Sequence, residues 1–220
     1  MKTKILLVLM FTFAFSLSSF ALFGKQKQIR TTPSTAQIYI DGNYVGDGMY
    51  SVKFKNEDFV VVKVENTGYV TKEFRLYKED SRNTIGVQLV EDDALAGSTA
   101  TDLANRYFTI QVREGINVDK AWKLLSQVML DYFNELKTAD KASGYMNTTW
   151  VKETFPNAKV KIRTMVQIKE VSGDGLTYQI KIFSEIADID SNDQGYKPWP
   201  RVLKKYETLI NEMQMRVGKN

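Results

Sequence analysis

The sequence has no histidine and no cysteine among its 220 residues, and these two absences exclude several kinds of site. Without an imidazole or a thiol, the chain cannot build a Ser-His-Asp triad, a cysteine nucleophile, an HExxH zinc site or a disulfide framework. Carboxylate catalysis, calcium or magnesium sites made of oxygen ligands, and binding without catalysis are compatible with the residues that are present. These absences leave all three possibilities open, and we expect no cofactor.

Long hydrophobic runs are also absent, except at the start of the chain. Lys2 and Lys4 precede an apolar run, and Ser19-Phe20-Ala21 supplies the small residues that a signal peptidase recognises. This pattern predicts a signal peptide over residues 1–21, cleaved after Ala21, and a protein that is periplasmic, secreted or at the cell surface. An uncleaved anchor is the alternative, but serines interrupt the run before about 20 apolar residues have accumulated. We expect no transmembrane anchor after cleavage.

The sequence has no strong excess of charge of either sign. It contains 30 Lys+Arg against 26 Asp+Glu, a net charge of +4. Cleavage would remove Lys2 and Lys4 and no acidic residue, which lowers the net charge to +2. A nucleic-acid-binding domain is strongly basic with clustered Lys and Arg, so we expect no nucleic-acid partner.

Short β-rich runs separated by turn residues fill positions 25–90, which predicts a small all-β sandwich. Residues 36–40 alternate apolar and polar side chains, and Asp41-Gly42-Asn43 then suits a tight hairpin turn. The predicted strands cover residues 36–40, 44–45, 50–54, 59–64, 71–77 and 84–90.

Four segments of this region have turn residues in a characteristic order: Thr32-Pro33-Ser34-Thr35-Ala36, Ile38-Tyr39-Ile40-Asp41-Gly42, Tyr44-Val45-Gly46 and Lys63-Val64 with Gly68-Tyr69-Val70. This order resembles a PEGA domain. The resemblance covers about residues 28–90. It implies a small β-sandwich that envelope proteins carry as a non-catalytic attachment, without a defined ligand.

The remaining chain is predicted to be a linker over 91–104 followed by an α+β domain over 105–220. Asn117 can cap a helix that begins at Val118 and has apolar residues spaced by three and four up to Leu136. We expect strands at 106–112, 145–154, 158–171 and 176–189, and a C-terminal helix entered at Pro198 and Pro200. This order indicates an antiparallel sheet packed on a long helix.

Three short segments of this second region are distinctive: Arg106-Tyr107-Phe108, Ala121-Trp122 and Asp140-Lys141-Ala142-Ser143-Gly144-Tyr145. They resemble helix-grip domains of the BamC type and TATA-binding-protein-like (TBP-like) domains of secreted bacterial proteins. The resemblance covers about residues 105–187 and implies protein–protein scaffolding in the cell envelope.

Aromatic and acidic residues supply the candidate sites. Aromatic rings can stack on a glycan or a peptide, which makes five residues candidates: Trp150, Tyr178, Tyr196, Trp199 and Tyr44. The alternative for each is packing in a core or against a neighbouring strand. The acidic loop 188–195 begins like a calcium loop but lacks the glycine and the glutamate of an EF-hand, so the sequence leaves calcium binding open.

Three functions from different classes follow from these patterns. The first is a secreted non-enzymatic binding or scaffolding protein that contacts surface or wall polysaccharide, or another envelope protein. The second is a glycan-active enzyme that uses a pair of carboxylates chosen from Glu153, Glu170 and Glu185. The third is a structural subunit that assembles with itself through an exposed strand. The sequence does not determine the oligomeric state.

Overall fold

The computed structural model describes residues 26–171 and 175–219. The protein is mostly β, with several sheets and a C-terminal helix. The chain folds into two compact units, and the boundary between them in the sequence lies between Val90 and Glu91. None of the helices in the described residues is long and apolar enough to cross a bilayer. The predicted signal peptide lies outside the described residues.

The first unit contains seven strands in two sheets. The strands are β1 (Lys27–Thr32), β2 (Gln37–Ile40), β3 (Asn43–Asp47), β4 (Met49–Val52), β5 (Phe59–Glu65), β6 (Lys72–Tyr77) and β7 (Thr84–Gln88). One sheet has the order β3-β2-β5-β6 and is antiparallel throughout. The other has the order β4-β1-β7, in which β1 pairs with β7 in parallel. The predicted strands are thus present in this unit, and β1 is an additional one.

Both sheets of the first unit contribute to one core. Strand β5 buries alternate residues, Val60, Val62 and Val64, as expected for a strand with one packed face. These side chains cluster with Ile38 from the same sheet and Ile29 from the other. The β2–β3 turn has positive φ at Asp41 and Gly42, the conformation that a two-residue hairpin loop requires.

The second unit contains nine strands, three α-helices and two 3-10 helices among its described residues. The strands are β8 (Ser98–Ala100), β9 (Tyr107–Gln111), β10 (Leu136–Asp140), β11 (Tyr145–Thr148), β12 (Val151–Phe155), β13 (Val160–Val171), β14 (Thr177–Asp188), β15 (Lys197–Pro198) and β16 (Arg201–Leu203). The α-helices are α1 (Asp93–Ala96), α2 (Val118–Tyr132) and α3 (Leu209–Val217), and short 3-10 helices cover Asp193–Gly195 and Lys204–Tyr206.

A seven-stranded sheet dominates this unit. Its main path is β10-β11-β13-β14-β15, β12 also pairs with β13, and β9 pairs with β14. Strands β13 and β14 pair antiparallel over twelve residues each. Helix α2 begins as predicted, because the Asn117 side chain accepts a hydrogen bond of 2.9 Å from the amide of Lys120. Residues of α2 and α3 share one core with Ile162, Val166 and Ile168 of β13, so both helices cover the same sheet face.

Three sequence expectations for this unit are corrected. The predicted linker 91–104 contains α1 and β8, and its residues Ala94 and Ala104 belong to the core. Helix α2 ends at Tyr132, and Leu136 begins β10, which is paired with β11. The predicted strand 145–154 is divided into β11 and β12.

The C-terminal helix is also shorter than expected. Pro198 and Pro200 do not enter a helix, because β16 pairs with β8 directly after them and a 3-10 turn follows. The helix α3 starts only at Leu209. The apolar residues of this segment are nevertheless buried, since both a strand and a helix can place such side chains in the core: Val202, Leu203, Tyr206, Leu209, Ile210, Met213 and Val217.

Candidate functional site

The seven-stranded sheet has a second face that no helix of this unit covers among the described residues. Successive residues of a strand point to opposite faces. In β13 the buried side chains Ile162, Thr164, Val166 and Ile168 point to the core, so the residues between them point away. We call the opposite side the outer face. Its charged and aromatic members include Tyr107, Asp140, Tyr145, Trp150, Lys152, Lys161, Arg163, Lys169, Lys181, Phe183, Glu185 and Tyr196.

Arg163 contacts two aromatic rings and a carboxylate at one end of the outer face. Its guanidinium carbon lies 4.4 Å from the ring centre of Trp150 and 4.0 Å from that of Tyr196. The same guanidinium donates to Glu185 Oε2, with both nitrogen–oxygen distances at 2.6 Å, and each side chain is about one-fifth exposed. Phe183 meets Trp150 edge to face at 6.2 Å. This end is therefore a packed cluster in which the positive charge is neutralised.

The other end of the outer face contains cations without such a partner. The Nζ atoms of Lys169 and Lys181 lie 4.4 Å and 5.3 Å from the ring centre of Tyr107, which is 48% exposed. No ion pair within the described residues includes either lysine. Two ammonium groups beside one exposed ring, without a carboxylate, form a surface suited to an anion.

The five aromatic candidates from the sequence are not brought together. Trp150 and Tyr196 lie in the Arg163 cluster of the outer face. Tyr178 is fully buried and Trp199 is 8% exposed, and both belong to the core of the second unit, so neither can present a ring face to a ligand. Tyr44 lies in the first unit, 55% exposed, with its ring edge-on to Tyr39 at 5.7 Å.

Sequence reasoning missed the cluster of Tyr107, Lys169 and Lys181. The three residues are far apart in the chain, and each one alone is an ordinary strand residue. They meet because Lys181 is directly opposite Tyr107 in the β9–β14 pair, and Lys169 is on the next strand. The one available signal was the alternation of side chains between the two faces of each strand. Once the register is known, this alternation places all three residues on the outer face.

The first unit also exposes aromatic side chains, on the face of its four-stranded sheet that points away from its core. Lys63 pairs with Glu65 at 2.9 Å and lies 4.1 Å from the ring centre of Tyr39. Arg75 lies 4.8 Å from the ring centre of Phe59, which packs against Tyr77. Acidic residues share this face with the two cations: Asp47, Glu65 and Glu73. The face of the first unit is therefore balanced in charge.

The three glutamates that the sequence offered as catalytic candidates are separated. Glu185 is opposite Arg163 on the outer face, whereas Glu153 is opposite the buried Ile162 and so points to the other face, where it pairs with Lys205. Glu170 lies eight residues beyond Ile162 on β13, about 26 Å along the strand. A glycosidase needs two carboxyl groups about 5 to 10 Å apart, and these three residues do not provide such a pair.

The acidic loop 188–195 is tied to the sheet by lysines. Lys152 Nζ lies 2.8 Å from Asp193 Oδ1, and this contact holds the pKa of Asp193 below its ordinary value. Lys161 donates to the carbonyl oxygen of Ser191. In residues 26–171 and 175–219, no group of three or more acidic side chains is arranged to hold a metal ion.

Comparison with protein-family models and with curated proteins finds no match for this chain.

Proposed function

We propose that this protein is a secreted, non-enzymatic binding and scaffolding protein of the cell envelope, and that the outer face of its second unit contacts the partner. The partner is surface or wall polysaccharide, or another envelope protein. The observation that carries the proposal is the pair Lys169 and Lys181 beside the half-exposed ring of Tyr107, without a neutralising carboxylate among the described residues. Unneutralised cations on an open face attract an anionic partner.

Two resemblances in the sequence support the location and the division into modules. The first unit has seven strands in two sheets around one core, which is compatible with a PEGA-like sandwich. The second unit has an antiparallel sheet packed on the 15-residue helix α2, which is compatible with a helix-grip or TBP-like domain. Together with the predicted signal peptide, these features favour an envelope protein made of two domains.

The separation of Glu153, Glu170 and Glu185 favours binding over the carboxylate enzyme. Two of the three glutamates are held in ion pairs, one with Arg163 and one with Lys205.

Co-sedimentation with envelope extract tests the proposal. The purified chain is mixed with envelope fractions, and we expect it to be retained at low salt and released as salt screens the charges. Lys181→Glu reverses one charge of the outer face and should reduce retention. Lys123→Glu is the matched control, because Lys123 is exposed on α2 on the opposite side of the sheet. Absence of retention, or equal loss in both variants, would contradict the proposal.

A further inference from the structure

A row of polar side chains crosses the sheet and includes Lys181, and Lys169 lies in the row next to it. The antiparallel registers align Tyr107 of β9 with Lys181 of β14, Lys181 with Gln167 of β13, and Gln167 with Asn147 of β11. In the adjacent row on the same face Gln179 lies opposite Lys169, and the row continues through Tyr145 to Asp140 on the edge strand. The Asp140 carboxylate accepts hydrogen bonds from the backbone amides of Ala142 and Ser143. Six residues of the two rows form the candidate surface: Tyr107, Asn147, Gln167, Lys169, Gln179 and Lys181. Four strands at about 4.8 Å spacing give this surface a width of about 14 Å. None of the six side chains is acidic.

The hydrogen-bonding groups of this surface have unused capacity. Asn147 is 9% exposed, and its Oδ1 atom accepts no hydrogen bond from the described residues. Its only polar contact there is a weak one, from Nδ2 to Met165 Sδ at 4.0 Å. This oxygen is itself buried, so the Asn147 side chain must rotate to present it to a ligand hydroxyl. Buried polar atoms in proteins are usually paired, and such a bond would supply the missing partner.

The chemistry of the six side chains distinguishes between classes of polymer. The amides of Gln167, Gln179 and Asn147 both donate and accept hydrogen bonds, as the hydroxyl groups of a sugar require. Lys169 and Lys181 supply two charges for carboxylate groups, and the exposed ring of Tyr107 supplies a flat apolar contact. A protein partner would favour an apolar centre in its interface, and the six positions contain no aliphatic residue.

We propose that Tyr107, Asn147, Gln167, Lys169, Gln179 and Lys181 bind a polysaccharide that carries carboxylate groups. The lysines pair with the carboxylates, the amides bond to sugar hydroxyls, and the Tyr107 ring packs on one sugar. This inference rests on the proposed function, because it names the partner class of the same outer face.

Calorimetric titration of the purified chain with polygalacturonate tests this assignment. We expect binding that weakens as salt is added, and no binding of dextran, a neutral polysaccharide. Lys169→Gln and Lys181→Gln should each weaken binding about threefold, and the double variant about tenfold, as expected for exposed ion pairs. Lys123→Gln is the matched control and should bind as the unmodified chain does. Intrinsic tryptophan fluorescence verifies that each variant is folded.

A second polymer separates the polysaccharide from an acidic protein. Poly-L-glutamate carries carboxylates without sugar hydroxyls, so we expect it to bind at least tenfold more weakly than polygalacturonate. Equal binding of the two polymers, or polygalacturonate binding unchanged in the double variant, would overturn the polysaccharide assignment. Absence of polygalacturonate binding would overturn it as well, while retention by envelope extract would then still support the proposed function.

Discussion

The outer sheet faces of the two units carry the same kinds of side chain but differ in charge. In the first unit, Lys63 is paired with Glu65, and acidic residues accompany the cations of that face. In the second unit, Lys169 and Lys181 lie beside Tyr107 without a carboxylate among the described residues. The net charge of the whole chain, +4, conceals this difference. The local arrangement of charges therefore says more about the partner than the composition does.

The largest effect is expected from a truncation in one core. Leu125 is fully buried in α2, so Leu125→Ala should lower the free energy of unfolding of the second unit by about 2–5 kcal/mol. All three tryptophans, Trp122, Trp150 and Trp199, belong to this unit, so tryptophan fluorescence in urea follows it alone.

The matching truncation in the first unit is Ile38→Ala, at a position that is also fully buried. If the two units fold as independent domains, this variant leaves the tryptophan transition unchanged. An equal shift of that transition in both variants would show that the units unfold together, and the prediction of two domains would then be wrong.

A smaller loss of stability is expected when the Arg163 cluster of the outer face loses its guanidinium. Arg163→Ala leaves Glu185 without its partner at a site that is about one-fifth exposed, which should cost about 1–3 kcal/mol. Arg75→Ala is the control on the face of the first unit, where Arg75 is exposed and contacts the Phe59 ring, and it should cost less than about 0.5 kcal/mol. Chemical denaturation followed by circular dichroism measures the loss of stability in both variants. Similar losses would show that the ion pair of the second unit stabilises no more than the exposed arginine of the first.

The stability of the second unit should fall as the pH rises above 10. Burial, and after it the nearby Glu170 carboxylate, raises the pKa of Tyr178 from 10.0 to about 12. The folded protein keeps the phenol proton where the unfolded chain releases it, so the stabilisation is present below pH 10 and is lost between pH 10 and about 12. Urea midpoints from tryptophan fluorescence at several pH values give the slope. Tyr178→Phe should reduce the dependence of the urea midpoint on pH above pH 10. An unchanged dependence would show that other groups cause the loss of stability.

The smallest effect is expected on the face of the first unit. Lys63→Gln removes a cation that is already paired with Glu65, so polygalacturonate binding should change by less than about twofold. The comparison variant is Lys181→Gln in the same calorimetric assay. A loss in Lys63→Gln as large as in Lys181→Gln would show that the balanced face also binds the polymer.

The sequence predicted the parts of the fold that depend on local rules. The alternation in β5 and the Asn117 cap of α2 are read from a few neighbouring residues, and both predictions agree with the structure. Strand β10 was missed because its hydrogen bonds come from β11, and four of its five residues are exposed. Strand β8 was missed because its partner β16 lies about 100 residues later in the chain.

The candidate site could be predicted only by residue type. The sequence singled out aromatic residues as candidates, and two of them, Trp150 and Tyr196, lie on the outer face. Tyr178 looked equivalent in the sequence, but it belongs to the alternate set of β14 side chains that point to the core. Only the register across strands shows that Lys169 and Lys181 lie beside Tyr107, and no local pattern contains that information.

Lysine footprinting tests the central claim most directly. The chain is treated with an acetylating reagent with and without polygalacturonate, and the rate at each lysine is measured by mass spectrometry. We predict that the polymer slows acetylation of Lys169 and Lys181, while Lys63 on the balanced face and Lys123 on α2 keep their rates. Protection of Lys63 or Lys123 without protection of Lys169 and Lys181 would contradict the assignment of binding to the outer face of the second unit.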